Sequence, residues 1–210
     1  MKRELLRQMT TRTDRFSLPL SRQDAFVLLS AAYQAEVEQR YMAFKNDEHT
    51  NANISLMAGF LTGGSSKFGI ALLGLYGCGK TTILLALQRA INYLNDRGCF
   101  RNQNVGMRII DARCVVTRQK DTREYERIRN ERVLAIDDVG REAAQVLDFG
   151  NVLSPVADLI EYRYERQLFT LLSTNLTKNE LRIRYGARVA DRLNEMMECI
   201  FFKSDASYRK

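Results

Sequence analysis

The sequence predicts an α/β protein, a three-layer parallel sheet folded around a phosphate-binding loop, and three observations carry that expectation. Gly74-Leu75-Tyr76-Gly77-Cys78-Gly79-Lys80-Thr81 fits G-x-x-x-x-G-K-[ST] at every fixed position. Short apolar runs alternate with segments of helical periodicity from Phe68 onward. The runs are continuously apolar, as expected of parallel strands covered on both faces.

Taken in order, the first ~20 residues read as a polar, basic arm, where order is commonly poor. Ser21, with Asp24 three residues on, resembles a capping box and starts a helix. Phe26, Leu29, Tyr33, Val37, Tyr41 and Phe44 recur at three- and four-residue steps, one apolar stripe. The polar stretch 45–53 interrupts it, and a shorter helix carries Ile54, Met57, Ala58 and Leu61, stopped by Gly63-Gly64. Strands are expected at 68–73, 107–110, 133–136 and 168–172, with a last one at 199–202. Helices are expected over the Ile83–Leu94 stripe, over 152–164 with Pro155 near its start, and as two segments within 178–197. Residues 1–52 form the basic arm and helical extension, and 53–210 the core, with no separate C-terminal lid.

Composition narrows the classes. The chain is 45% hydrophobic and 27% charged with only 2 Pro, enough for a real core and unlike a disordered chain. A net charge of +7 and a pI near 9.4 fit a polyanionic partner or a solvated basic surface equally well. The four cysteines stand far apart without a C-x-x-C pair and His49 is the only histidine, which argues against zinc and for reduced thiols. The basic N-terminus is followed by no apolar stretch, so no signal peptide is expected. The longest apolar run, 68–79, is far shorter than the ~20 residues of a membrane span. A soluble, cytoplasmic protein with no membrane partner is expected.

The phosphate loop sits between an apolar strand and a long amphipathic helix, the context its chemistry needs. Gly74, Gly77 and Gly79 let the backbone wrap close to phosphates with N–H groups inward, alongside Tyr76 and Cys78. The helix adds its positive N-terminal end. Lys80 is expected to bridge β- and γ-phosphates, Thr81 to ligate magnesium and Thr82 to support the α-phosphate. The implied cofactors are ATP and Mg2+.

Val133-Leu134-Ala135-Ile136 ends in Asp137-Asp138, at a strand end where such folds place ligands. One carboxylate holds magnesium and the other polarises the attacking water; Asp137 is assigned to the metal and Asp138 to the water. A later apolar strand ends in Ser173-Thr174-Asn175, where the Asn175 amide is in order to meet the γ-phosphate and the water; alone, such an Asn is a turn or cap residue.

The set GLYGCGKTT, VLAIDDVGRE, LLSTNLT, RYGARVADRLNEM and a terminal SYRK resembles the DnaC/IstB branch of AAA+ P-loop ATPases over roughly residues 53 to 210. The resemblance implies an AAA+ core, with Asp137 as the Walker B metal residue, Asp138 as its catalytic neighbour and Asn175 as the first sensor. It implies that Arg192 is an arginine finger reaching a neighbour's ATP and Arg209 a second sensor, with Arg188 one turn before Arg192 as a weaker candidate. The function implied is an ATP-dependent loader of a replicative DNA helicase, hydrolysing ATP slowly and contacting single-stranded DNA, in an ATP-dependent homo-oligomer. The alternative is an IstB-like transposition helper, whose partner is a transposase instead of a helicase. A small-molecule phosphotransferase lacks a visible acceptor site. Residues 111–132 are short for the extra DNA-binding helix of initiators. Their basic residues, Arg113, Arg118, Lys120, Arg123, Arg127, Arg129 and Arg132, alternate with acids, as a phosphate contact or a solvated helix would.

Overall fold

A computed structural model describes residues 15–63, 65–100, 105–148 and 151–202. Most of the expected arm (residues 1–14), Gly64 in the expected helix stop, and Arg209 lie outside them. Helices α1 (Arg22–Glu38) and α2 (Glu48–Leu61) lead into β1 (Gly69–Gly74) and α3 (Lys80–Asp96). Then follow β2 (Met107–Asp111), α4 (Ala112–Arg118), α5 (Thr122–Asn130) and β3 (Val133–Val139). A small hairpin, β4 (Val146–Asp148) with β5 (Asn151–Leu153), precedes α6 (Pro155–Glu165), β6 (Phe169–Thr174), α7 (Lys178–Tyr185), α8 (Ala187–Met196) and β7 (Met197–Phe202).

Five strands form one parallel sheet in the order β2-β3-β6-β1-β7. Side chains alternate across a strand, so each strand feeds two cores. Ile70, Leu72, Val133, Ala135, Phe169 and Leu171 face a cluster completed by α1, α2 and α3 through Leu29, Tyr33, Ile54, Met57, Leu84 and Leu87. Ala71, Leu73, Leu134, Ile136 and Leu172 face a second cluster completed by α4 to α8, including Ile128, Leu159, Ile160, Leu181 and Leu193. This is the expected three-layer α/β fold built on a parallel sheet. Among the described residues no helix is long and apolar enough to cross a membrane.

The N-terminal helices share the first core, and the boundary expected between residues 52 and 53 falls inside α2. Ser21 caps α1 by accepting the Asp24 N–H, as its spacing suggests. Three local expectations fail for identifiable reasons. The stripe of α1 does not continue to Tyr41 and Phe44: the helix ends at Glu38, and Tyr41 takes a left-handed conformation (φ 56°) in full exposure. The polar stretch 45–53 holds the cap and first turn of α2, because the Asp47 carboxylate accepts the Thr50 N–H. Val152 belongs to the hairpin instead of the following helix, which starts at Pro155 where a missing N–H costs nothing.

Arg163 of α6 is fully buried. Its guanidinium donates to Thr170 Oγ1 (2.8 Å) and to the carbonyls of Arg129 (3.0 Å), Glu131 (2.9 Å) and Phe169 (2.7 Å), joining α5, α6 and the starts of β3 and β6. Burial pushes its pKa down to about 9, so it remains a cation at neutral pH. Arg163→Met strands four acceptors in the interior. It should lower unfolding free energy by about 3–5 kcal/mol, read from urea denaturation followed by circular dichroism.

Candidate functional site

Adjacent order β3-β6-β1 brings the C-terminal ends of three strands to one edge of the sheet, where the phosphate loop, Asp137, Asp138 and Asn175 meet. The loop after β1 turns through left-handed conformations at Gly77 (φ 78°) and Gly79 (φ 92°), the kind of backbone that folds successive N–H groups into an anion-binding nest. A Cβ at Gly79 would stand 2.4 Å from the Tyr33 hydroxyl oxygen, so α1 packs directly on the loop. Cys78 is buried, its thiol donating to the Leu75 carbonyl at 2.8 Å, and Tyr76 is exposed.

Lys80 is buried and bent back over the loop. Its ammonium donates to the carbonyls of Gly74 (2.7 Å) and Leu75 (2.8 Å) and to Asn175 Oδ1 (2.8 Å), so Asn175 lies where its position after β6 suggests. Thr81 Oγ1 donates to Asp137 Oδ2 at 2.9 Å, joining the start of α3 to the end of β3. Ser173, fully buried at the end of β6, donates to Asp137 Oδ1 and accepts the Asp138 N–H at 2.9 Å. Asp138 has φ 59°, and its carboxylate pairs with Arg141. Thr82 Oγ1 accepts from Arg40 at 3.5 Å.

The loop from Tyr76 to Thr82, with Asp138, Arg141 and Asn175, lines a cleft of about 600 Å³ whose other wall comes from the extension, through Tyr33, Val37, Arg40, Phe44 and Thr50. That volume suits a nucleotide-sized ligand. No sequence motif singles out Arg40, Phe44, Arg141 or Ser173 for a functional role. For Phe44 the clue was an apolar residue beyond the end of a helical stripe; for Ser173, its place beside Asn175. A metal has two donors ready in Thr81 and Asp137. Among the described residues no group of three or more His, Cys, Asp or Glu gathers. The donor set therefore fits a hard cation that completes its shell with phosphate and water oxygens, as Mg2+ does.

Arg192 and Arg188 lie outside the cleft, on α8 against α6. Arg192 is 14% exposed and pairs with Glu161 (2.8 Å) and Glu165 (3.4 Å). Arg188 is 70% exposed and pairs with Glu161 (3.1 Å). In the basic segment, Arg113 pairs with Asp111, Arg127 with Glu124 and Arg129 with Glu126. The Arg113 guanidinium holds the Asp111 carboxyl below its ordinary range. Arg118, Lys120 and Arg123 are exposed and form no ion pair among the described residues.

No protein-family model and no curated protein matches the chain. Solved structures do. The fold is similar to the DnaC helicase loader, with a TM-score of 0.60 and 21% identity over 76% of this chain and 93% of that one. It is similar to DnaI, with a TM-score of 0.57 and 23% identity over 80% and 88%. It is also similar to AMPPCP-bound DnaA from Aquifex aeolicus, with a TM-score of 0.54 and 19% identity over 79% and 50%. At these identities the likeness establishes the fold.

The Gly79 geometry makes a sharp test of the cradle. Gly79→Ala must carry a side chain at φ 92° into the Tyr33 hydroxyl, a strain of about 1–3 kcal/mol. Fluorescence titration with a labelled ATP analogue should show affinity falling by about 10- to 100-fold, with the circular dichroism spectrum retained.

Proposed function

We propose that this chain is an ATP-dependent DNA replication protein that binds MgATP in the cleft beside α3, hydrolyses it slowly, and loads a replicative helicase. The observation that carries the reading is the convergence of Lys80 on Asn175 and of Thr81 on Asp137 at a single strand edge. Lys80 and the loop N–H groups hold the phosphates, and Thr81 and Asp137 hold the cation. Asp138 orients the attacking water, and Asn175 steadies the terminal phosphate. The magnesium ion, when bound, supplies charge neutralisation between phosphates.

The motif resemblance to helicase loaders, and the likeness of fold to DnaC and DnaI, support the loader reading over a small-molecule phosphotransferase. Single-stranded DNA is the proposed nucleic-acid partner, with exposed Arg118, Lys120 and Arg123 as contacts; affinity should fall with salt as counterions are released. Arg192 is the proposed finger, acting on the ATP of a neighbouring copy. In the single chain it is held by Glu161 and Glu165, so assembly must exchange those carboxylates for phosphate. A finger in trans is worth ~10³–10⁵ in rate in related systems. ATP then acts chiefly as an assembly switch. Arg209 remains the proposed second sensor.

ATP hydrolysis across a protein concentration series, with and without single-stranded DNA, separates the alternatives. Wild-type specific activity should rise with concentration and with DNA, while Arg192→Ala stays flat. Equal activity of both proteins at every concentration would make Arg192 a surface arginine and remove the trans finger. Preference for duplex, with filament formation, would favour the transposition helper.

A further inference from the structure

Glu142 belongs to the motif Asp137-Asp138-x-Gly140-x-Glu142, yet it does not line the nucleotide cleft. Its side chain is 1% exposed, and burying a carboxylate is costly unless its oxygens are satisfied. Here they are. Oε2 accepts the Gly140 N–H at 2.9 Å, and Oε1 accepts the Tyr185 hydroxyl. Arg184 Nε lies 3.6 Å from Oε1, and another nitrogen of that guanidinium donates to the Glu142 carbonyl. Burial and the neighbouring carboxylate push the Tyr185 phenol up, which keeps it a donor. A buried ion pair of this kind is poor evidence for stability, because an apolar replacement of similar volume often serves as well. What it supplies is fixed geometry.

The geometry it fixes is the turn that presents Asp138. That residue sits at φ 59°, a sparsely populated conformation that persists only where its surroundings over-determine it. The Arg141 N–H closes the turn on the Asp138 carbonyl at 3.1 Å. Ser173 accepts the Asp138 N–H from one side, and Gly140 packs on Leu176 so closely that a Cβ would stand 2.5 Å from Leu176 Cδ1. Both of those supports belong to β6 and the residues just after it. Glu142 supplies a third from elsewhere, the C-terminal end of α7, which passes through Gly186 directly into α8 and its Arg188 and Arg192.

We propose that Glu142 is a positioning residue for Asp138. Its carboxylate fastens the Asp138–Arg141 turn to the end of α7, so a displacement of the α7–α8 pair is felt at the Asp138 carboxylate. The proposal rests on the reading of the cleft as an ATPase site.

The test compares full-length Glu142→Ala, Glu142→Gln and Tyr185→Phe with wild type, for kcat, for affinity towards a labelled ATP analogue, and for melting temperature. Glu142→Ala should lower kcat by roughly 10-fold or more. Nucleotide affinity should stay within about 2-fold. Glu142→Gln and Tyr185→Phe should fall between it and wild type. In an Asp138→Asn background, Glu142→Ala should slow turnover no further. Tyr185→Phe removes one hydroxyl and keeps the test valid if Glu142→Ala unfolds the chain. Unchanged kcat, or kcat, affinity and melting temperature falling together in Glu142→Gln and Tyr185→Phe, would overturn the proposal. So would a Glu142→Ala effect that multiplies with Asp138→Asn. A wild-type chain that neither binds nor hydrolyses ATP overturns the cleft reading first, and the positioning role with it.

Discussion

Asp137 receives hydroxyls from two different elements, Thr81 at the start of α3 and Ser173 at the end of β6. That pair of hydrogen bonds ties the phosphate loop to the two strands beyond it. The same Ser173 oxygen accepts the Asp138 N–H, so one buried hydroxyl holds both the Asp137 carboxylate and the backbone of Asp138. Parallel register makes the arrangement available: Leu73 pairs with Thr174, and Ile136 with Leu172, bringing the three strand ends level. A parallel sheet needs a crossover between neighbours, and here the crossovers are helices that cover both faces. The cleft is left open only at the carboxyl edge, where such folds place their ligands.

Lys80 is the complement of this anchoring. A buried ammonium needs oxygen partners, and it has two loop carbonyls and the Asn175 amide oxygen. These are weaker attractions than phosphate oxygens, because neither carbonyl nor amide carries a full charge. The loop is thus wrapped around a buried cation whose partners are neutral oxygens. The N-terminal extension closes the opposite wall through Tyr33 of α1 against Gly79 and Arg40 against Thr82.

Much of this was legible in the residues. The phosphate motif, the acidic strand end and the Ser173-Thr174-Asn175 turn each carry a local signature, and the strand–helix alternation orders them. The Ser21 cap was equally plain, since a side-chain oxygen three residues before an acid has few other uses. What escaped was whatever depends on distant partners. Arg163 looks like a surface residue of an amphipathic helix, and only the fold supplies the carbonyls that let it be buried. Strands of three residues, as in the β4–β5 hairpin, are too short to show an alternation, so Val152 was absorbed into the helix that Pro155 begins. The polar run before α2 hid an N-cap because Asp47 is one of several polar residues there. Arg192 carries a motif, but nothing local foretold that Glu161 and Glu165, 27 or more residues before it, would hold it.

The most direct measurement of the central claim is a structure determined with magnesium and a non-hydrolysable ATP analogue. The account predicts the triphosphate in the cleft beside α3, with Lys80 Nζ moved off the Gly74 and Leu75 carbonyls onto phosphate oxygens. It also predicts a cation between Thr81 and Asp137 in place of their direct hydrogen bond. A nucleotide bound elsewhere, or bound here with Lys80 and the Thr81–Asp137 contact unchanged, would contradict it.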